Sequence, residues 1–432
     1  MRVLVIGGGG REHALAWKLS ASSHVDRIYC APGNAGIARI AECINLEATD
    51  QEGLASFAAS QHVDLTVVGP EGPLTAGIVD RFEARGLPVF GPATEPARIE
   101  GSKAFSKELM VRYGIATADY RAFEHPDEAH AYIVSRFAGM RESCGGLVVK
   151  ADGIAAGKGV FVVDTAEQAH AAVDTVMRER AFGAAGDRII VEERLTGEEV
   201  SIMAFTDGEN VVAMPPSQDH KRVFDNDLGP NTGGMGAYSP TPSLPADIVH
   251  EAVETVVRPA VHAIRDLGIP YKGVLYAGLM LTPKGIRVLE FNCRFGDPET
   301  QAVLPLLETD LVEVLSACVD CSLDQLDVRW KREAAVCVVA ASGGYPGDYA
   351  TGKPIEGLDR AAEEPGCMIF HAGTREEHGQ VYTDGGRVLG VTGTGADIPE
   401  ALAHAYTGMA RIRFEGMHFR RDIAARALKA RA

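Results

Sequence analysis

The first hundred residues confine this chain to few folds, because short apolar runs alternate there with helical stretches and end in turn-forming residues. Arg2–Ile6 reads as a buried strand running into Gly7–Gly10, with a helix from about Arg11 to Ser20. Arg27–Cys30 and Leu65–Val68 read as further strands, running into APGNA (31–35) and GPEGP (69–73), with a helix at Gln51–Gln61 between them. A helix near Ala76–Arg85 and a short strand at Val89-Phe90 complete the series. Such alternation implies a parallel, doubly wound sheet. Ligands of these sheets bind beyond the carboxyl ends of the strands.

At Gly101 the pattern changes. A helix over about Ser102–Arg112 precedes a small α+β module: strands at Leu147–Ala151 and Gly159–Val163 around a Gly-rich hairpin, a helix near Ala166–Arg180, and a strand at Arg188–Glu192. Longer, antiparallel-type strands follow at Val200–Phe205, Val211–Met214, Gly273–Leu281 and Ile286–Phe291. Leu323–Arg332 is charged and reads as a linker. Ala334–Ala341 opens a last region of strands and turns that ends in a helix near Asp397–Ile412. At roughly 100–200 residues per domain, 432 residues make two to four domains of mixed α/β and α+β type.

Charge excludes one class of partner. The formal net charge is −17, and nucleic acid selects basic surfaces, so no nucleic acid is expected. No apolar run reaches the ~18 residues of a membrane span, so no membrane is expected either. The start, MRVLVIGGGG, is a strand and glycines rather than a signal peptide, which points to the cytoplasm. In that reducing setting the eight scattered cysteines should be buried thiols. Cys318-x-x-Cys321 alone is weak evidence for zinc; helix-end packing explains it as well.

The segment VLEFNCRFGDPET (288–300) carries most of the chemistry. Read as a strand, it puts Leu289, Phe291, Cys293 and Phe295 on an apolar face and Glu290, Asn292 and Arg294 on the other. A carboxylate and an amide oxygen two residues apart suit a hard cation such as Mg²⁺. The guanidinium one step on suits a phosphate or carboxylate. A half-buried strand with a wet side is the plainer alternative, but this wet side lacks Lys and Thr.

Four other stretches compete for function. VLVIGGGGREHALA fails the dinucleotide pattern, because its sixth position is Glu12, and the acid that should end the second strand is absent. The amides of Gly7–Gly10 can hold one phosphate, or the glycines simply make a tight turn. KADGIAAGKGV (150–160) places Gly153, Gly157, Lys158 and Gly159 at a hairpin tip that can fold over phosphates, with Lys150 ending an apolar strand. An ordinary mobile hairpin is the alternative. Glu192-Glu193 ends a strand, and Gly197-Glu198-Glu199 follows it; the strand edge could meet an adenine and an acid a ribose. Gln218-Asp219-His220-Lys221-Arg222, beside the glycines of 229–236, reads as an anion site or a charged turn.

Together these stretches resemble the ATP-grasp superfamily and, within it, the family of phosphoribosylamine–glycine ligases, or glycinamide ribonucleotide synthetases. The matching runs include GGGGREHALAW, APGNAG, VGPEGPL, EGSKAF, VKADGIAAGKGV, VEERLTGEE, SQDHKR, GPNTGGMGAYSP, EFNCRFGDPET and SGGYPGDY, in order. The resemblance implies a Rossmann-like substrate domain (1–100), an ATP-grasp domain (101–325) with its lid at about 120–190, and a small α+β domain (326–432). It implies ligation of glycine to 5-phosphoribosylamine with ATP and Mg²⁺ or Mn²⁺, by a monomer. It implies Glu290 and Asn292 as metal ligands, and Lys103, Lys150 and the 153–159 lid at the phosphates. Glu192 and the Leu195 backbone would meet adenine and Glu199 the ribose. Arg294, and with it Asp219 and Lys221, would act on glycine or the transferred phosphate. Gly8, Gly9, Gly10, Arg11, Glu12, Gly69, Pro70 and Glu71 would face the ribosylamine. Relatives often carry Asn where this chain has Gly8. Another ATP-grasp ligase of purine metabolism, a non-catalytic nucleotide sensor and a nicotinamide oxidoreductase are the rivals.

Overall fold

The computed structural model describes residues 1–139, 145–154 and 159–429. Strands β1 (Arg2–Gly7), β2 (Arg27–Pro32), β3 (Glu42–Cys43), β4 (Leu65–Val68) and β5 (Val89–Phe90) form a parallel sheet ordered β3-β2-β1-β4-β5. Apart from the edge strand β3, its strands are almost wholly buried, as expected of a sheet covered on both faces. The order reverses beside β1, so the ends of β1 and β4 mark the crevice where such sheets bind ligands. The helix expected at Ala76–Arg85 is shorter, Ile78–Glu83, because Gly77 takes a left-handed conformation (φ +93°) that separates it from a first turn at Glu71–Thr75.

A second sheet holds β6 (Tyr120–Phe123), β7 (Leu147–Ala151), β8 (Val160–Val163) and β9 (Ile189–Glu193), ordered β6-β9-β7-β8. Helices Pro126–Gly139 and Ala166–Val173 supply apolar side chains to its core. The third sheet is antiparallel: β10 (Glu198–Asp207) and β11 (Val211–Ala213) join β16 (Lys272–Thr282) and β17 (Gly285–Asn292) in the order β11-β10-β16-β17.

The last sheet draws on two distant parts of the chain. β12 (Gln218–Asp219) and β15 (Gly236–Ser239) pair onto β18 (Ala334–Ala341), β22 (Arg387–Gly395) and β19 (Cys367–His371). Hairpins β13 (Arg222–Phe224)–β14 (Leu228–Asn231) and β20 (Thr374–Glu377)–β21 (Gln380–Thr383) complete the strands. Most of the stretch expected to be a linker is exposed, with Leu323 buried and Trp330 bridged to Leu307. Of the described cysteines, four are buried, but Cys43 and Cys367 are half-buried and Cys321 is exposed, just past the helix Leu311–Val319. Among the described residues, no helix is long and apolar enough to cross a membrane.

Candidate active site

The site grows out of β17. Glu290 and Asn292 lie opposite Gly278 and Tyr276 of β16. The expected alternation fails at one point. A bulge puts Val288 opposite Leu279 and Glu290 opposite Gly278, so Val288 takes the core position and Leu289 is the extra residue. Leu289 therefore lines the site instead of the core, and its carbonyl accepts a hydrogen bond from Lys150 Nζ at 3.1 Å.

Lys150 is the last residue but one of β7, next to the Gly-rich stretch. Its ammonium lies 2.5 Å from Glu192, whose carboxylate also meets Lys107 at 2.6 Å. All three side chains are almost fully buried. Burial raises the Glu192 carboxyl, but Lys150 and Lys107 outweigh it and hold the group below its ordinary value. The backbone of Glu192 is paired on both sides, to Tyr120 and Val148, so β9 offers no free edge there; the first free stretch is at Leu195. Lys103 Nζ donates to the Gly153 carbonyl at 2.8 Å, which ties the stretch just past β7 to the start of the helix Lys103–Arg112.

Lys221 follows β12 and meets Glu199, with Glu290 3.9 Å away. Burial lowers the Lys221 pKa, but Glu199, Asp219 and Glu290 lift it well above its usual value. Burial, joined by Glu299, Glu199 and Glu290, overrides Lys221 at Asp219 and pushes that carboxyl up to about 8. Burial also opposes ionisation of Glu290, yet Lys221, Lys150, Lys103 and Arg294 keep it below its ordinary value. Glu290 is thus ready to face a cation.

Arg294 stands just past β17, where two acids from the first domain clamp it: Glu71 at 3.2 Å and Glu100 at 3.1 Å. Glu71 also faces Arg11 at 4.0 Å.

These groups line one cavity of about 880 Å³. Of the expected residues, Arg11, Glu71, Lys103, Lys150, Gly153, Gly159, Glu192, Leu195, Glu199, Asp219, Lys221, Glu290, Asn292 and Arg294 are in its wall. Gly8, Gly9, Gly10, Glu12, Gly69 and Pro70 are not. Glu12 is buried beneath the first loop, where it accepts from Gly9 N and Arg11 Nε, both at 2.6 Å. Gly8 is packed so that an added Cβ would stand 2.4 Å from the Gly33 carbonyl oxygen, and Asn34 Nδ2 donates to Gly8 O at 2.9 Å. Here the first loop braces the site from behind. Gly157 and Lys158 lie outside the described residues.

Several lining residues were not expected. Glu100 opens the EGSKAF run without a role having been read there, and Lys107 sits on a helix with no motif of its own. Tyr345 and Arg387 come from the last hundred residues: Arg387 donates to the carbonyls of Gly233 (2.6 Å) and Asp297 (2.8 Å), and Gly233 N donates to Tyr345 Oη at 3.1 Å.

Glu290 and Asn292 are hard oxygen donors on one strand face. Among the described residues no group of three or more His, Cys, Asp or Glu could hold a metal ion. A cation here would take its other oxygens from phosphates and water, which is the habit of Mg²⁺. The donor set fits that ion and does not fit zinc.

The fold and the site define an ATP-grasp ligase, a class that uses ATP with divalent metal ions. The match extends to every sheet. Residues 1–100, 101–300 and 335–426 match, in turn, the N domain, the ATP-grasp (A) domain and the C domain of phosphoribosylglycinamide synthetase, so the chain belongs to that family. A phosphoribosylamine–glycine ligase of Caldanaerobacter subterraneus is 49% identical over 98% of this chain and 100% of its own length. The human trifunctional purine biosynthetic protein adenosine-3 is 49% identical over 99% of this chain, which matches 42% of that protein. The crystal structure of the Thermotoga maritima phosphoribosylamine–glycine ligase superposes with a TM-score of 0.83 at 33% identity, covering 98% of this chain and 100% of that one. A biotin carboxylase from Campylobacter jejuni shares the fold (TM-score 0.74, 13% identity, 97% of this chain and 92% of that one).

Proposed function

We propose that this chain joins glycine to 5-phosphoribosylamine, splitting ATP to ADP and phosphate, through a glycyl phosphate. The supporting observation is the convergence in one cavity of phosphate-seeking cations, two hard oxygen donors and the crevice of the first sheet. A carboxylate is a poor acylating agent, because its oxygen is a bad leaving group. Its oxygen therefore first attacks the γ-phosphorus, the bond to the bridging oxygen breaks, and ADP leaves. The amine then attacks the acyl carbon, phosphate departs, and the amine loses a proton.

Most of what such a site supplies is alignment and charge stabilisation. Lys103 and Lys150 meet the ATP phosphates, and Glu192 aims Lys150. The apolar end of the cavity, with Met110, Val148, Met280 and Leu289, receives adenine beside the Leu195 backbone. Glu199 takes the ribose. Gly153 and Gly159 line the cavity beside Lys150, where the phosphates would lie. Lys221 and Asp219 hold glycine, and Arg294 neutralises the acyl phosphate. Arg11 and Glu71 meet the ribosylamine. Mg²⁺ or Mn²⁺, held by Glu290 and Asn292, would supply positive charge against the ATP phosphates.

The test is ADP release from ATP and Mg²⁺ with glycine, with and without freshly made phosphoribosylamine. Lys150→Ala and Arg294→Ala should abolish it while the fold persists by circular dichroism. Undiminished turnover in both variants, or a preference for bicarbonate or formate over glycine, would overturn the assignment.

A further inference from the structure

Arg294 is already occupied. Its Nε donates to Glu71 (3.2 Å), Nη1 to the Phe295 carbonyl (3.3 Å), and Nη2 to Glu100 (3.1 Å) and to Asn292 Oδ1 (3.4 Å). A guanidinium has five N–H groups in a fixed fork. To grip a phosphate with two of them, Arg294 must give up part of this set.

The two acids are not equivalent. Glu100 is the better buried (10% exposed against 25%), and its second oxygen accepts from the backbone N–H of Cys293 at 2.7 Å. It is fixed to the strand end that carries Arg294. Glu71 opens a short helix at the end of β4 and lies between two cations, Arg294 and Arg11. Arg11 in turn is held by Glu12 and by the Phe295 carbonyl at 3.0 Å.

Resting on the function proposed above, we infer that Glu71 is an exchangeable counter-ion that withholds Arg294 from the acyl phosphate until the anionic ribosylamine reaches Arg11, and that Glu100 is the permanent anchor. An anion arriving at Arg11 competes with Glu71 for that cation and repels its carboxylate. The Glu71–Arg294 contact loosens, and Nε turns to the phosphate while Nη2 stays on Glu100. Glycine activation is thereby tied to the presence of the amine that consumes it, and by linkage each substrate strengthens the other's binding. Glu100 is a positioning residue, while Glu71, beside the ribosylamine, acts on the reaction through Arg294.

The test compares glycine-dependent ADP release with and without phosphoribosylamine in wild type, Glu71→Gln, Glu100→Gln and Arg11→Gln. Glu71→Gln should raise the amine-independent rate by about fivefold or more, the lower end of ordinary coupling between sites. Arg11→Gln leaves Glu71 to Arg294 alone and should lower that rate. Glu100→Gln should lower the rate in both conditions. Opposite signs from two neighbouring substitutions are not what general loosening produces. An amine-independent rate in Glu71→Gln at or below wild type overturns the inference, as does a rise in Arg11→Gln. Should wild type release no ADP with glycine and the amine together, the proposed function itself fails, a separate outcome.

Discussion

Replacing Glu192 by Gln tests how the lysines of the site are paid for. The carboxylate is 3% exposed and lies between Lys107 (2%) and Lys150 (6%). Without it, Lys107 keeps the Thr117 hydroxyl at 2.6 Å and Lys150 keeps the Leu289 carbonyl, but neither has its counter-charge. Removing one partner of a buried pair costs about 3–5 kcal/mol. The glutamine oxygen still accepts a hydrogen bond, so about 3 kcal/mol is expected. At roughly 2–4 °C per kcal/mol for a unit of this size, the calorimetric transition should fall by about 6–12 °C. Two controls sharpen the reading. Burial already lowers the Lys107 pKa, against the pull of Glu192. In the variant the unfolded chain binds more protons than the folded one, so the deficit should shrink as pH rises toward the free-lysine value of 10.5. ATP brings phosphate charge to Lys150, so it should raise the variant's transition more than the wild type's. A variant that melts within about 0.5 kcal/mol of wild type, the range of ordinary surface substitutions, would refute the claim that Glu192 holds the lysines.

Asp219 carries a pH prediction. Burial raises its folded-state pKa to about 8, above the ordinary 3.8, so the folded chain binds the extra proton between those values and loses stability as pH climbs through them. Asp219→Asn should therefore gain on wild type in urea unfolding from pH 5.5 to pH 8; a constant difference would count against a protonated Asp219. Chelation by EDTA should stop ADP release, and Glu290→Gln should raise the Mg²⁺ needed for half-maximal rate by about tenfold or more, since even outer partners of a metal cost 10–100-fold. Gly8→Ala forces a Cβ to 2.4 Å from the Gly33 carbonyl, so urea unfolding should show a loss of about 1–3 kcal/mol.

The sequence showed the reactive groups better than the groups that hold them. Glu290 and Asn292 were legible because a strand repeats every two residues, and Arg294 because it continues that spacing just past the strand end. The bulge at Leu289 was not legible, since it is defined by the partner strand β16 and not by residues within β17. The roles of Glu100, which opens the EGSKAF run, and of Lys107 were not legible for a related reason. A lone acid or lysine on a helix reads as a solvated face, and its partner here lies far along the chain: Glu100 meets Arg294 across 194 positions. Arg387 enters from the last sheet and Tyr345 from the turn past β18.

A single electrostatic requirement joins these omissions. The chain is acidic overall, yet its cavity gathers Arg11, Lys103, Lys107, Lys150, Lys221 and Arg294. Buried cations without partners are costly, so a fold that must present them to polyphosphate needs acids to hold them meanwhile. Glu71, Glu100, Glu192 and Glu199 do this, and each sits against a cation assigned to a ligand or beside one. Glu71, Glu192 and Glu199 stand in recognisable motifs themselves; what only the folded chain reveals is which cation each acid holds.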